Sequence, residues 1–172
     1  MKKILIAAAL LATAPAFAQP IVTIQGNPTA PEASAPRPAR ARGIPTALAI
    51  EAAQVANATC LTNGTKVTTI VVDSVGEPIV IISGDGAATI TQRIAMGKAQ
   101  IALKTKGASD PAVSGKADPA LMAGLGVARP GGEPLMAGSD IVGAIAASGS
   151  PSGAADDVCV KAAIAKIADR IK

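Results

Sequence analysis

Beyond Phe17 the chain contains no Phe, Trp or Tyr, and it has no His at any position. A core must therefore close on aliphatic side chains alone. The stretch from Ile44 to Lys172 is strongly apolar without a large aromatic to fill it, so part of its surface is expected to meet another copy of the chain. Closed rings or dihedral stacks are the usual form of such homo-oligomers. The same absences exclude chemistry. Without aromatics there is no base stacking and no aromatic cage for a cation. Without His there is no Ser-His-Asp or Cys-His catalytic set and no His-containing zinc site.

The first twenty residues, MKKILIAAALLATAPAFAQP, have a basic start, an apolar run and Ala16-Phe17-Ala18 before Gln19. This pattern reads as a secretory signal peptide over residues 1–18, with a periplasmic or secreted destination. The apolar run is too short for a membrane span, which needs about 20 residues. Residues 19–43 are rich in Pro and Ala and show no apolar period. They read as a disordered linker, because such a segment buries too little surface to offset its ordering entropy. From Ile44 onward eleven Lys/Arg balance eleven Asp/Glu, so the pI of 9.3 describes the ends of the chain. A nucleic-acid partner calls for a basic patch on the folded part, and the sequence forms none.

Residues 44–172 suffice for one domain. Thr46 is placed as N-cap of a helix ending at Asn63, with Gly64 as its stop and Leu48, Ala52, Val55 and Thr59 as its stripe. Lys66–Val72 and Ile79–Ile82 flank the turn Asp73-Ser74-Val75-Gly76 as a hairpin, with Pro78 at the start of its second strand. Asp73 is the Asx-type residue of that turn. A second helix spans Thr89–Lys106, stopped by Gly107. Asp118-Pro119 predicts a short helix to about Leu125, and Arg129–Gly132 a turn. Leu135–Ala137 and Asp140–Ser148 form a second hairpin, and the last helix runs from about Ala154 to Ile171. The order α-ββ-α-α-ββ-α predicts an α+β fold, an antiparallel sheet of two hairpins with packed helices.

The loop Gly149-Ser150-Pro151-Ser152-Gly153 sits between a strand and a helix, as a phosphate-cradling loop does. It lacks the Lys of GxxxxGK[ST], and Asp156 and Asp157 stand where an anion would approach. It reads as a structural turn, and the two acids as charges complementing the helix N-terminus.

Several short pieces, in order, resemble the GlcG/HbpS-like family. They are Val72-Asp73-Ser74-Val75-Gly76, Lys98-Ala99, Gly131-Gly132-Glu133-Pro134, Val142-Gly143-Ala144-Ile145, Ser148-Gly149 and Asp156-Asp157-Val158-Cys159. The resemblance covers about Thr46 to Ile171. It implies a profilin-like fold, an oligomer, and a role in binding haem or another cofactor. The chain departs from the family's pattern at Pro130, where many members carry a third Gly, and at Ile101, often a hydroxyl residue. It also lacks the His and Tyr that hold haem iron strongly.

Candidate residues follow from these readings. Arg93, Met96 and Lys98 lie within two turns of the second helix and are offered to haem, the two cations to its propionates and Met96 to its iron. Lys98 has no acidic partner nearby in sequence, so an exposed, solvated side chain is its default. Gly131 and Gly132 allow backbone to approach a ring closely. Cys60 and Cys159, the only cysteines, pair as a disulfide in an exported protein. No catalytic or metal-binding set is found: Asp156 and Asp157 would need several more oxygen donors to hold a hard cation. Three functions remain open. They are a haem- or tetrapyrrole-binding protein, an oligomeric interaction module without enzymatic activity, and a haem-degrading enzyme restricted to Asp, Lys and Arg.

Overall fold

The computed structural model describes residues 41–116, 120, 124–126 and 128–172. Helix α1 (Thr46–Thr62) is capped by Pro45 without a side-chain bond, so Thr46 is the first helical residue rather than the cap. Its buried face carries Leu48, Ala49, Ala52, Ala53, Ala56 and Cys60. The expected stripe members Val55 and Thr59 are only half-buried, because small residues mark the side that lies against its neighbours.

Strands β1 (Thr68–Asp73) and β2 (Pro78–Ser83) form the first hairpin. Asp73 Oδ1 accepts from the backbone N–H of Val75 at 3.0 Å and of Glu77 at 2.9 Å, as expected of an Asx-type turn. The chain joins this hairpin before residue 44. The Ser74 N–H donates to the Arg42 carbonyl at 2.7 Å, and the Arg42 guanidinium meets Asp140 at 2.7 Å. Residues 42 and 43, placed in the linker by sequence, thus belong to the folded unit.

Helix α2 (Ile90–Thr105) ends on Lys106 in the left-handed conformation, φ 55°, so the turn expected of Gly107 is made one residue earlier. A four-residue helix α3 (Pro111–Ser114) follows, with the Asp110 side chain accepting from the Ala112 N–H. It was not anticipated, although Asp110-Pro111 carries the same signature read at Asp118-Pro119. Of the helix expected from Asp118 to about Leu125, positions 118, 119 and 121–123 lie outside the described residues; Ala120 is helical, and Gly124 and Leu125 stand in a turn rather than in the helix.

Strands β3 (Gly132–Ala137) and β4 (Asp140–Ser148) lead into α4 (Gly153–Ile167) and a closing 3-10 turn, Ala168–Arg170. The loop before α4 is a turn, as expected: Ser152 caps the helix by accepting from the Ala155 N–H. Gly149 adopts φ +139°, and a Cβ there would run into the Lys66 carbonyl.

The four strands form one antiparallel sheet in the order β2-β1-β4-β3. Alternation along the strands sends side chains to two cores. On one face Val71, Leu135, Val142 and Ile145 pack against α1 and α4. On the other, Ile70, Val72, Ala144 and Ala146 meet Ala95, Ala99 and Ala102 of α2. Alanines facing alanines let α2 lie close on the sheet. Cys60 of α1 and Cys159 of α4 form a disulfide with a Cα–Cα distance of 5.5 Å. No helix of the described residues is long and apolar enough to cross a membrane.

Candidate functional site

Position 98 lies on the sheet side of α2, where it reaches past the end of β4 to the start of α4. Lys98 Nζ donates to Asp156 Oδ2 at 2.7 Å and to the Ala147 carbonyl at 2.8 Å. Asp156 Oδ1 accepts from the Ser150 N–H at 2.9 Å. The side chains of Lys98 and Asp156 are 2% and 4% exposed. The solvated lysine expected from sequence is therefore a buried ion-pair partner. Asp156, expected as a charge at the helix N-terminus, does stand in the first turn of α4 and is also the counter-ion of Lys98. Burial pushes the Lys98 ammonium below its ordinary pKa, and the hydrogen bond and charge of Asp156 push it back up. A pair at this depth holds only because both ions are hydrogen-bonded.

The glycines at 131 and 132 close over this pair. Gly131 has φ +105°, and a Cβ there would sit 2.7 Å from Asp156 Cβ and 2.9 Å from Lys98 Nζ. A Cβ at Gly132 would sit 2.7 Å from the Lys98 carbonyl oxygen. Both positions are buried. Their lack of a side chain admits the lysine and its backbone, a different task from the ligand approach expected of them.

A groove of about 500 Å³ runs along α2 beside the Gly124–Gly126 loop, lined among others by Arg93, Met96, Lys98, Leu125 and Arg129. This volume lies within the usual range of small-molecule sites. Gly97 brings helix and loop together: a Cβ there would be 2.8 Å from the Leu125 carbonyl oxygen. The Arg129 carbonyl accepts from Ser109 Oγ at 2.6 Å, and the Ser109 N–H donates to the Gly132 carbonyl at 2.8 Å. These bonds tie the backbone of Arg129 to β3.

Among the described residues no Asp or Glu lines the groove. Among the described residues neither Arg93 nor Arg129 forms an ion pair. The structure thus unites Arg93, Met96 and Lys98 along one wall, but the Lys98 ammonium is already engaged. Arg129, which sequence reasoning placed only in a turn, is the second uncommitted cation.

Around the corner on α4, Lys161 Nζ meets Asp157 at 2.6 Å and Glu133 at 3.7 Å. Burial, and then the charge of Asp157, hold the Glu133 carboxyl above its ordinary pKa. Among the described residues no group of His, Cys, Asp and Glu has the makings of a metal site.

A four-stranded antiparallel sheet with α1 and α4 on one face, α2 on the other, and a cationic groove along α2 defines a profilin-like α+β protein. More narrowly, the chain belongs to the HbpS-like family, whose model, described as haem degrading protein HbpS-like, matches residues 44–165. Solved structures share the fold. The crystal structure of HbpS is 25% identical and superposes with a TM-score of 0.68 over 74% of this chain and 92% of that one. A double mutant of Streptomyces reticuli HbpS is 23% identical, with a TM-score of 0.68 over 94% of this chain and 98% of that one. A PduOC:heme complex is 21% identical, with a TM-score of 0.63 over 72% of this chain and 94% of that one. No curated protein sequence matches the chain.

Proposed function

We propose that this is an exported protein that binds haem or a related tetrapyrrole in the groove along α2. The observation that carries this reading is the pair of guanidiniums, Arg93 and Arg129, that line the groove with neither an ion-pair partner nor an acid beside them among the described residues. Guanidinium groups bond both oxygens of a carboxylate at once, which suits propionates. Met96 and Leu125 supply apolar surface, and the Met96 thioether is the one soft donor among the described residues lining the groove. Haem, when bound, would contribute a visible spectrum and a redox-active iron. The family model and the PduOC:heme structure support the ligand class. The titratable groups at the groove are two guanidiniums and a lysine closed in its own ion pair. We therefore read binding rather than turnover.

Haem titration followed in the visible tests the reading. We expect Arg93→Ala to weaken binding about 10-fold, the loss of about 1.4 kcal/mol, and Met96→Leu to alter the spectrum of the complex. If haem addition to the unaltered protein produces no Soret change, the reading fails, and the chain is an interaction module.

Export is supported by the basic-apolar-AxA start and by the Cys60–Cys159 disulfide, which suits an oxidising compartment. Assembly of several copies is supported by exposed aliphatic side chains: Leu61 is 63%, Val75 70% and Val158 56% exposed. Light scattering on the chromatographed protein is expected to give a multiple of the protomer mass. A monomer at micromolar concentration would sink this part.

A further inference from the structure

We infer that the groove recognises the carboxylates and the flat apolar body of a tetrapyrrole rather than its iron, so that metal-free dicarboxylic porphyrins are ligands of the same rank as haem. This rests on the proposed reading of the groove and narrows it to a chemical class.

The argument starts from what the groove can give a metal. The strong protein ligands for haem iron are His, Cys thiolate and Tyr. His and Tyr are absent from the chain, and both cysteines are consumed by the disulfide. The one amine among the described residues lining the groove, Lys98, is bonded to Asp156 and to the Ala147 carbonyl, and the missing side chain at Gly131 leaves room for it there. Freeing its lone pair would leave Asp156 buried without a counter-ion. Among the described residues lining the groove, what remains is the Met96 thioether, which in cytochromes serves beside a His rather than alone.

The groove is better equipped for anions. The folded part is balanced in charge from Ile44 onward. Yet among the described residues two guanidiniums without ion-pair partners line one groove, and no carboxylate lines it with them. One stands on α2, and the other sits on a segment whose backbone is fixed through Ser109. Two cations on two separate elements, with Leu125 and Met96 also lining the groove, suit a ligand carrying two carboxylates on one apolar body. Charge-assisted bonds to such groups are about twice as strong as neutral ones. They do not depend on a metal at the ligand's centre.

The test titrates the full-length protein with haem, metal-free protoporphyrin IX and the dimethyl ester of that porphyrin, following absorbance and porphyrin emission. The expected result is a Kd for the metal-free diacid within about 3-fold of that for haem, and a Kd for the ester at least about 10-fold weaker. Arg129→Ala is expected to weaken diacid and haem alike. The inference is overturned if haem binds and the metal-free diacid binds more than about 10-fold more weakly, or if the ester binds as well as the diacid. The first of those outcomes leaves tetrapyrrole binding itself standing. If neither haem nor the diacid binds, both readings fall. Because the decisive comparison is between ligands on the unaltered protein, it does not depend on any variant folding.

Discussion

Replacing both cysteines, Cys60→Ala with Cys159→Ala, is expected to lower the unfolding free energy by about 2–5 kcal/mol. The bond links residues 99 apart, so in the chain-entropy account it removes much of the denatured chain's freedom. It also joins α1 and α4 within one core, and both cysteines are buried. The loss therefore falls on the face of the sheet opposite α2. Urea unfolding followed by far-ultraviolet circular dichroism measures the effect. A change below about 1 kcal/mol would mean that packing of α1 on α4 already fixes this face, and that the bond adds little.

Asp156→Ala is expected to cost about 3–5 kcal/mol, because it strands a buried ammonium. Lys98 would keep only the Ala147 carbonyl, and the Ser150 N–H would lose its acceptor. The expected pattern is asymmetric. Lys98→Met with Asp156→Leu, which removes both charges and keeps bulk, should recover much of the loss, as apolar replacement of a whole buried pair often does. A double-mutant cycle in urea reads the coupling. If the double variant is as unstable as Asp156→Ala, the stranded charge is not the cause. The defect would then lie in the lost bond from the Ser150 N–H and in the volume lost beside Gly131.

The elements were legible because their signals are local. Asp73 closes its turn through its own neighbours, Pro78 opens a strand, and the two long hairpins and three long helices fall within two or three residues of their expected positions apart from the C-terminal end of α4, where a 3-10 turn takes over after Ile167. The pairing of Cys60 with Cys159 followed from there being two cysteines and an export pattern. Arg93 and Met96, three residues apart, were legible as one helix wall.

The ion pair was not legible, because Lys98 and Asp156 are 58 residues apart and meet only once β4 has carried the chain across the sheet. Each looks ordinary in its own segment, a lysine on a helix and an acid in a first turn. A resemblance that quotes Lys98-Ala99 and Asp156-Asp157 together holds the signal, but only the fold says that the two touch. Gly131 and Gly132 were read as openings for a ligand for the same reason. What a glycine makes room for is set by the partner that fills the space, here Lys98 itself.

The aliphatic core has an optical consequence. From Ile44 to Lys172 there is no Trp, Tyr or Phe, so the Cys60–Cys159 bond is the sole near-ultraviolet chromophore of the described fold. Near-ultraviolet dichroism of residues 44–172 therefore reports one feature, the handedness and environment of that bond between α1 and α4. It should vanish on reduction even where the far-ultraviolet spectrum persists. A tetrapyrrole in the groove on the other face would be seen against an almost blank background, with no aromatic donor to pass it excitation energy. Any induced dichroism at its own wavelengths would belong to the ligand's seat alone.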